Sequence, residues 1–250
     1  MNPSPIFVEV CCNSLSSALA AQAGGAHRIE LCADLEIGGT TPSPGTIKLT
    51  IEQLKIPVCV LIRPRPGDFI YTAQEKAVIF EDIAFCKKAG CAGIVIGALN
   101  VNATIDEQFV QDCLKAAGEM DVVFHRAFDF TRDPFEAMET LIRLGVKRVL
   151  TSGQQTDVMG GRELLRKMVL AAADRIEIMP GSGIHENNLI LLSDFTGARI
   201  FHMSARNIIK SINEWHPRHI HIAQQDVIAD FDYFETSQAR VEKVIAAISK

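Results

Sequence analysis

With 250 residues, 48% of them hydrophobic, the chain can bury a sizeable core as one large α/β domain or two small ones. A net charge of −5 excludes a general binder of nucleic-acid phosphates, which needs a basic surface. No apolar run reaches the ~18 residues of a membrane span, and Met1-Asn2-Pro3-Ser4-Pro5 lacks the basic and apolar regions of a signal peptide, so the expectation is a soluble cytoplasmic protein that engages neither nucleic acid nor membrane.

Along the chain, short β-branched runs alternate with longer amphipathic stretches. Strands are predicted near 6–11, 28–32, 57–62, 93–97, 121–125, 147–151, 175–179 and 199–203. Helices are predicted near 14–24, 44–54, 73–89, 106–117, 133–144, 157–173, 185–195 and 236–249. Ser14, Ser43 ahead of Pro44, Thr72 and Thr104 are expected helix N-caps; Gly24-Gly25, Gly90, Gly118 and Gly145 are expected at helix ends. Strand–helix alternation implies parallel strands with right-handed crossovers, and eight such units in this length fit a (β/α)8 TIM barrel, residues 1–250 forming a single domain. A doubly wound open sheet is the alternative. It usually carries a glycine-rich turn after its first strand, and Cys11-Cys12-Asn13-Ser14 is not one. The one long irregular stretch is about 204–235, with Trp215 and the histidines His216, His219 and His221, read as surface residues. It could serve as a cap, an oligomer contact or a partner surface.

A barrel places its site at the C-terminal ends of its strands, and the polar residues gather there. The first strand ends in Glu9-Val10-Cys11 and the second repeats the pattern as Glu30-Leu31-Cys32. Residues two apart share a strand face, so each triplet sends a carboxylate and a thiol to the same side. The seven cysteines form no C-x-x-C and are expected to be free thiols. Cys11 and Cys32 could share a soft metal such as Cu(I). Glu9 and Glu30 are candidate general bases, or ion-pair partners of nearby arginines. His125 is a candidate acid or base, or a structural histidine; His202 is similar and is assigned, with Ser204, to binding an anion. Arg63, Arg65, Arg126 and Arg206 bring forked cations suited to carboxylate or phosphate, unless Glu9, Glu30, Asp68 and Asp129 absorb them; Arg63, Arg65 and Arg126 are assigned to the anion. Asp129 and Ser152 complete this anion-binding set. Gly181-Ser182-Gly183 lies after the seventh strand, where barrels often bind phosphate, and otherwise is a plain turn.

In this order the strand ends resemble the copper homeostasis protein CutC family. The matching pieces are Glu9-Val10-Cys11, Arg28-Ile29-Glu30-Leu31-Cys32, Gly38 to Ser43, Ile62-Arg63-Pro64-Arg65, Gly67-Asp68-Phe69, His125 to Asp129, Arg148 to Gly153, Gly181-Ser182-Gly183 and Phe201 to Ala205. The resemblance implies a (β/α)8 barrel, a cytoplasmic homodimer or homotetramer, and copper handling with Cu(I) on Cys11 and Cys32. The expected function is therefore Cu(I) binding at the barrel mouth, with no organic cofactor. The alternative is an enzyme acting on a small anionic, phosphorylated or similar molecule by acid/base chemistry through Glu9, Glu30 and His125. No reaction can be named from the residues.

Overall fold

Every predicted strand forms. The computed structural model describes residues 5–215 and 231–249. The strands are β1 (Phe7–Cys12), β2 (Arg28–Leu31), β3 (Val58–Leu61), β4 (Gly93–Ile96), β5 (Asp121–Phe124), β6 (Arg148–Thr151), β7 (Glu177–Pro180) and β8 (Ile200–Met203). They lie parallel in one sheet, in the order β7-β6-β5-β4-β3-β2-β1-β8. A parallel bridge between Gly181 and His202 joins the two edges and closes a (β/α)8 barrel. The helices are α1 (Leu15–Ala23), α2 (Pro44–Gln53), α3 (Ala73–Ala89), α4 (Glu107–Ala117), α5 (Pro134–Leu144), α6 (Val158–Ala172), α7 (Leu189–Thr196) and α8 (Gln238–Ile248). None of the described helices is long and apolar enough to cross a membrane.

Period-2 alternation sorts the strand residues into two cores. Val8, Val10, Ile29, Leu31, Val60, Ile94, Ile96, Val122 and Phe124 face outward and pack under the helices. Cys11, Cys32, Cys59, Leu61, Val95, Val123, Leu150 and Met179 face inward and fill the lumen. Complete burial of one such aliphatic side chain is worth about 1.5–3 kcal/mol, so both faces of the sheet are held and the register of each strand is pinned.

Local chemistry sets the helix ends. Ser14 and Ser43 accept from the N–H groups of Ser17 and Thr46, and Thr72 forms a reciprocal capping box with Glu75. Thr104 is not the cap it was expected to be. Asp106 accepts from Phe109 N–H instead, and Thr104 bonds within a turn to Asn102 and Asn100. The helix expected from 185 starts only at Leu189, because the Asn188 side chain accepts from His185 N–H and holds those residues in a turn.

The segment 204–235, expected to be irregular, is ordered at its described ends. β9 (Arg206–Ile209) and β10 (Tyr233–Thr236) form an antiparallel ribbon. Both carry β-branched or aromatic residues that favour a pleated surface. The ribbon docks on α1 and its cap: Thr236 N–H donates to Ser17 Oγ, and Asn13 Nδ2 donates to the Phe234 carbonyl. His216, His219 and His221 lie outside the described residues.

The closing seam has no spare volume. A Cβ at Gly181 would lie 2.4 Å from Leu150 Cδ1 and 3.2 Å from His202 Cβ. Gly181→Val is expected to cost about 1–3 kcal/mol in urea denaturation. Gly160→Ala, in α6 with only ordinary contacts around its added methyl, is expected to be neutral or stabilising by up to about 1 kcal/mol.

Candidate functional site

Glu9 sits in mid-strand with no exposed surface. Its register partners are Arg28 on β2 and His202 on β8, and both bond to it. Arg28 Nε donates to Glu9 Oε2, and His202 Nδ1 lies 2.9 Å from Glu9 Oε1. Burial alone would raise the Glu9 pKa. The His202 hydrogen bond and the Arg28 charge outweigh it and bring the carboxyl down to about 2. Burial likewise works against protonated His202, but Glu30 and Glu9 hold the imidazole above its ordinary value. With Nδ1 committed to Glu9, Nε2 is the ring nitrogen left for the mouth.

Glu30 is raised to about 7, chiefly by burial and further by the charge of Glu9, against the pull of His202. Its Oε1 receives the Cys11 thiol at 3.7 Å. Its Oε2 lies 4.0 Å from His202 Nδ1 and has no hydrogen-bond partner. The Cys11 and Cys32 sulfurs are 3.5 Å apart. The register pairs Cys11 with Glu30, so Cys32 stands two residues further along, yet the sulfurs still meet. Their contact and burial push the Cys11 thiol pKa well up. Cys11, Glu30 and His202 offer three ligand atoms within 4.8 Å of one another, a set that could hold a metal ion.

Above this column, at the C-terminal ends of the strands, opens a cavity of about 380 Å³. Cys11, Glu30, Arg63, His125, Arg126, Gly183, His202 and Ser204 line it, as do Leu61, Phe69 and Leu150. Arg63 spends both terminal nitrogens on the carbonyls of Ile37, Gly39 and Gly67. His125 Nδ1 accepts from Ala127 N–H, so the proton of the neutral ring is on Nε2. Burial, aided by the Arg63 charge, lowers the His125 pKa to about 3.

Four residues assigned to the anion site stand elsewhere. Arg65 is bound to Glu75 at 2.5 Å and Asp68 at 3.0 Å and also to the Ile70 carbonyl; its charge holds the loop after β3. Asp129 accepts from Thr151 Oγ1, Ser152 N–H, Gln154 N–H and Arg126. Ser152, fully buried, bonds to Asp129 and receives Arg126 Nη2 at 2.9 Å. These two hold Arg126, and neither is among the residues that line the cavity. Gly181 closes the barrel seam. Arg206 on β9 lines the mouth as expected and pairs with Glu36. One lining arginine was absent from the expected set: Arg240 on α8, which pairs with Glu186. Arg28 was missed as well, although its inward parity with Glu30 and Cys32 was readable.

A second cavity, about 470 Å³, lies at the opposite end, lined by Phe7, Arg28, Arg148, Glu177 and Arg199 among others. Glu9 answers Arg28, while Asp121 and Glu177 answer Arg148 at 2.9 and 2.7 Å. It is a neutralised polar floor, remote from the thiols.

Residues 6–207 match the model of the CutC family. A family protein CutC of Xanthomonas axonopodis pv. citri is 43% identical over 246 residues, covering 97% of this chain and 99% of its own. One from Parabacteroides distasonis is 44% identical over 241 residues, covering 96% and 99%. A solved structure from Streptococcus agalactiae, provisionally described as a copper homeostasis protein CutC, has a TM-score of 0.76 and 32% identity over 80% of this chain and 98% of its own. A phosphoribosylanthranilate isomerase of Thermotoga maritima shares the fold alone, at TM-score 0.58, 11% identity and 98% coverage of each chain.

His125 makes the site sensitive to acid. Its folded pKa of about 3 lies below the ordinary histidine value of 6.5, so in that window the unfolded chain binds the extra proton. This contribution is fully present above about pH 6.5 and is lost as pH falls toward 3, by about 1.4 kcal/mol per unit. Urea denaturation of wild type and His125→Gln between pH 7 and 4 is expected to show a shallower acid loss in the variant; parallel curves would refute the assignment.

Proposed function

The chain belongs to the CutC family, and from that premise we propose that it takes part in copper homeostasis by binding Cu(I) through the thiolates of Cys11 and Cys32 at the mouth of its barrel. The observation that carries this reading is the pair of free sulfurs 3.5 Å apart, Cys11 lining the cavity and Cys32 directly behind it. Soft thiolates select Cu(I) over harder ions.

The donor set fits the ion electrostatically. Two thiolates and Cu(I) leave one net negative charge, and the cationic Arg28 and His202 occupy the same buried column. Glu30 lies close enough to Cys11 to contribute a further ligand atom. Contact with Cys32 and burial hold the Cys11 thiol protonated, so Cu(I) must displace protons, and its affinity must rise with pH. A reducing cytoplasm keeps such thiols free. The same reading makes the protein a cytoplasmic homodimer or homotetramer whose partner is the copper ion, with no organic cofactor.

Anaerobic titration of Cu(I) against a chromogenic chelator tests it. Wild type is expected to bind the ion stoichiometrically, more tightly at pH 8 than at pH 6, and the Cys11→Ala, Cys32→Ala double variant is expected to lose that binding. A double variant that keeps full-affinity stoichiometric binding would sink the reading.

A further inference from the structure

The thiol pair is sealed. Cys11 is 3% exposed and Cys32 has no exposed surface, so an ion or a reagent reaches both only if something over them moves. The loop that follows β2 covers Cys32. Its base is an antiparallel bridge between Ala33 and Thr40, with both backbone bonds at 2.9 Å, and Thr40 Oγ1 donates to Asp34 Oδ2 at 2.8 Å. Its far end is a single 3-10 turn, Leu35–Ile37. Leu35 packs against the lumen cluster that holds Cys11 and Cys32, and it lines the mouth cavity. Gly39 lies so close to that cluster that a Cβ there would sit 2.6 Å from Leu61 Cδ2 and 3.6 Å from Cys32 Cβ.

Both ends of the loop pass through left-handed backbone. Asp34 has φ +47°, and Gly38 and Gly39 have φ +88° and +85°. Such residues are where a short segment can swing about its base with little steric cost.

Two arginines hold the loop down. From beneath, the buried Arg63 donates from Nη1 to the carbonyls of Ile37 and Gly39. From the ribbon, Arg206 Nη1 donates to Glu36 Oε1 at 2.8 Å. Arg206 is itself fixed: its guanidinium lies 4.3 Å from the centre of the Phe234 ring on β10, and its carbonyl receives Arg240 Nη1 at 3.0 Å. The Glu36 and Arg206 side chains are 31% and 29% exposed, so water and salt reach this outer grip. An ion pair of that exposure biases an equilibrium by no more than about fivefold.

We propose that the 34–39 loop is a gate over the thiol pair, clasped shut by Glu36 and Arg206, and that it opens to admit the metal. The identity of the metal rests on the copper reading; the gate itself is tested without copper.

Alkylation of the metal-free full chain by iodoacetamide, followed by tryptic peptide mass analysis, tests it. Cleavage after Arg28 and Lys48 leaves Cys32 as the only cysteine of its peptide. Cys59, buried in the same lumen beside Gly93 rather than under Gly39, is the internal reference. Glu36→Gln and Arg206→Met are each expected to speed Cys32 modification about two- to fivefold, with Cys59 and the melting temperature unchanged. The two changes together are expected to act no faster than the quicker one alone, because they release the same clasp. Exchanging the charges, Glu36→Arg with Arg206→Glu, is expected to restore the slow rate. Salt at about 1 M is expected to speed wild type and leave either single variant as it was. Cu(I) loading from a chelator is expected to quicken by the same factor at unchanged stoichiometry. Unchanged Cys32 modification in both folded variants, or parallel acceleration of Cys59, would overturn the gate. Faster modification with loading at the wild-type rate would overturn its role in metal entry. A wild type that binds no Cu(I), while the clasp variants still alkylate faster, would refute the copper reading and leave the gate standing.

Discussion

The interior is arranged around one charge, the carboxylate of Glu9. Moving an ion of that size out of water costs several kcal/mol even after relaxation, and β1 places it where no water reaches. Two neighbours offset the cost, and each is a register partner: Arg28 on β2 and His202 on β8. A one-residue slip of either strand would turn its partner outward and leave Glu9 uncompensated. The ion group therefore ties the registers of three adjacent strands together, and it does so beside the seam where β8 meets β7 through a single bridge.

The rest of the lumen follows from this column. Arg28 reaches down from Glu9 to the polar floor, where Arg148 is held by Asp121 and Glu177. His202 reaches up from it, toward Glu30 and Cys11. The negative charge of Glu9 supports a protonated imidazole and discourages a second carboxylate, which together with burial keeps Glu30 near neutrality. The mouth is consequently divided. β1, β2 and β8 supply thiols, a carboxyl and an imidazole; the ends of β3 and β5 supply N–H donors on Phe69.

Much of this was legible beforehand, for a simple reason. A parallel strand with both faces buried still alternates, so Glu9 with Cys11, Glu30 with Cys32, and His125 at its strand tip declare an inward direction from position alone. The barrel itself was readable from strand–helix alternation and helix caps. The residues that went astray are those whose partners come from loops. Arg65, Asp129 and Ser152 sit at strand ends like the true lining residues, but Glu75, Gln154 and the carbonyls of neighbouring turns absorb them. No periodicity reports such pairings. Arg240 escaped notice because it comes from the last helix, whose position over the mouth is a consequence of barrel closure.

By itself the sequence determined the strands, their parity and hence which side chains enter the lumen, because steric alternation is a local property of the backbone. Tertiary structure alone decided which of those groups are charged, paired or unsatisfied. That depends on distances across strands and on exclusion of water: the 3.5 Å between the sulfurs of Cys11 and Cys32, and the commitment of His202 Nδ1 to Glu9. Electrostatic energies fall with distance and rise with burial, and neither quantity exists until the barrel has closed.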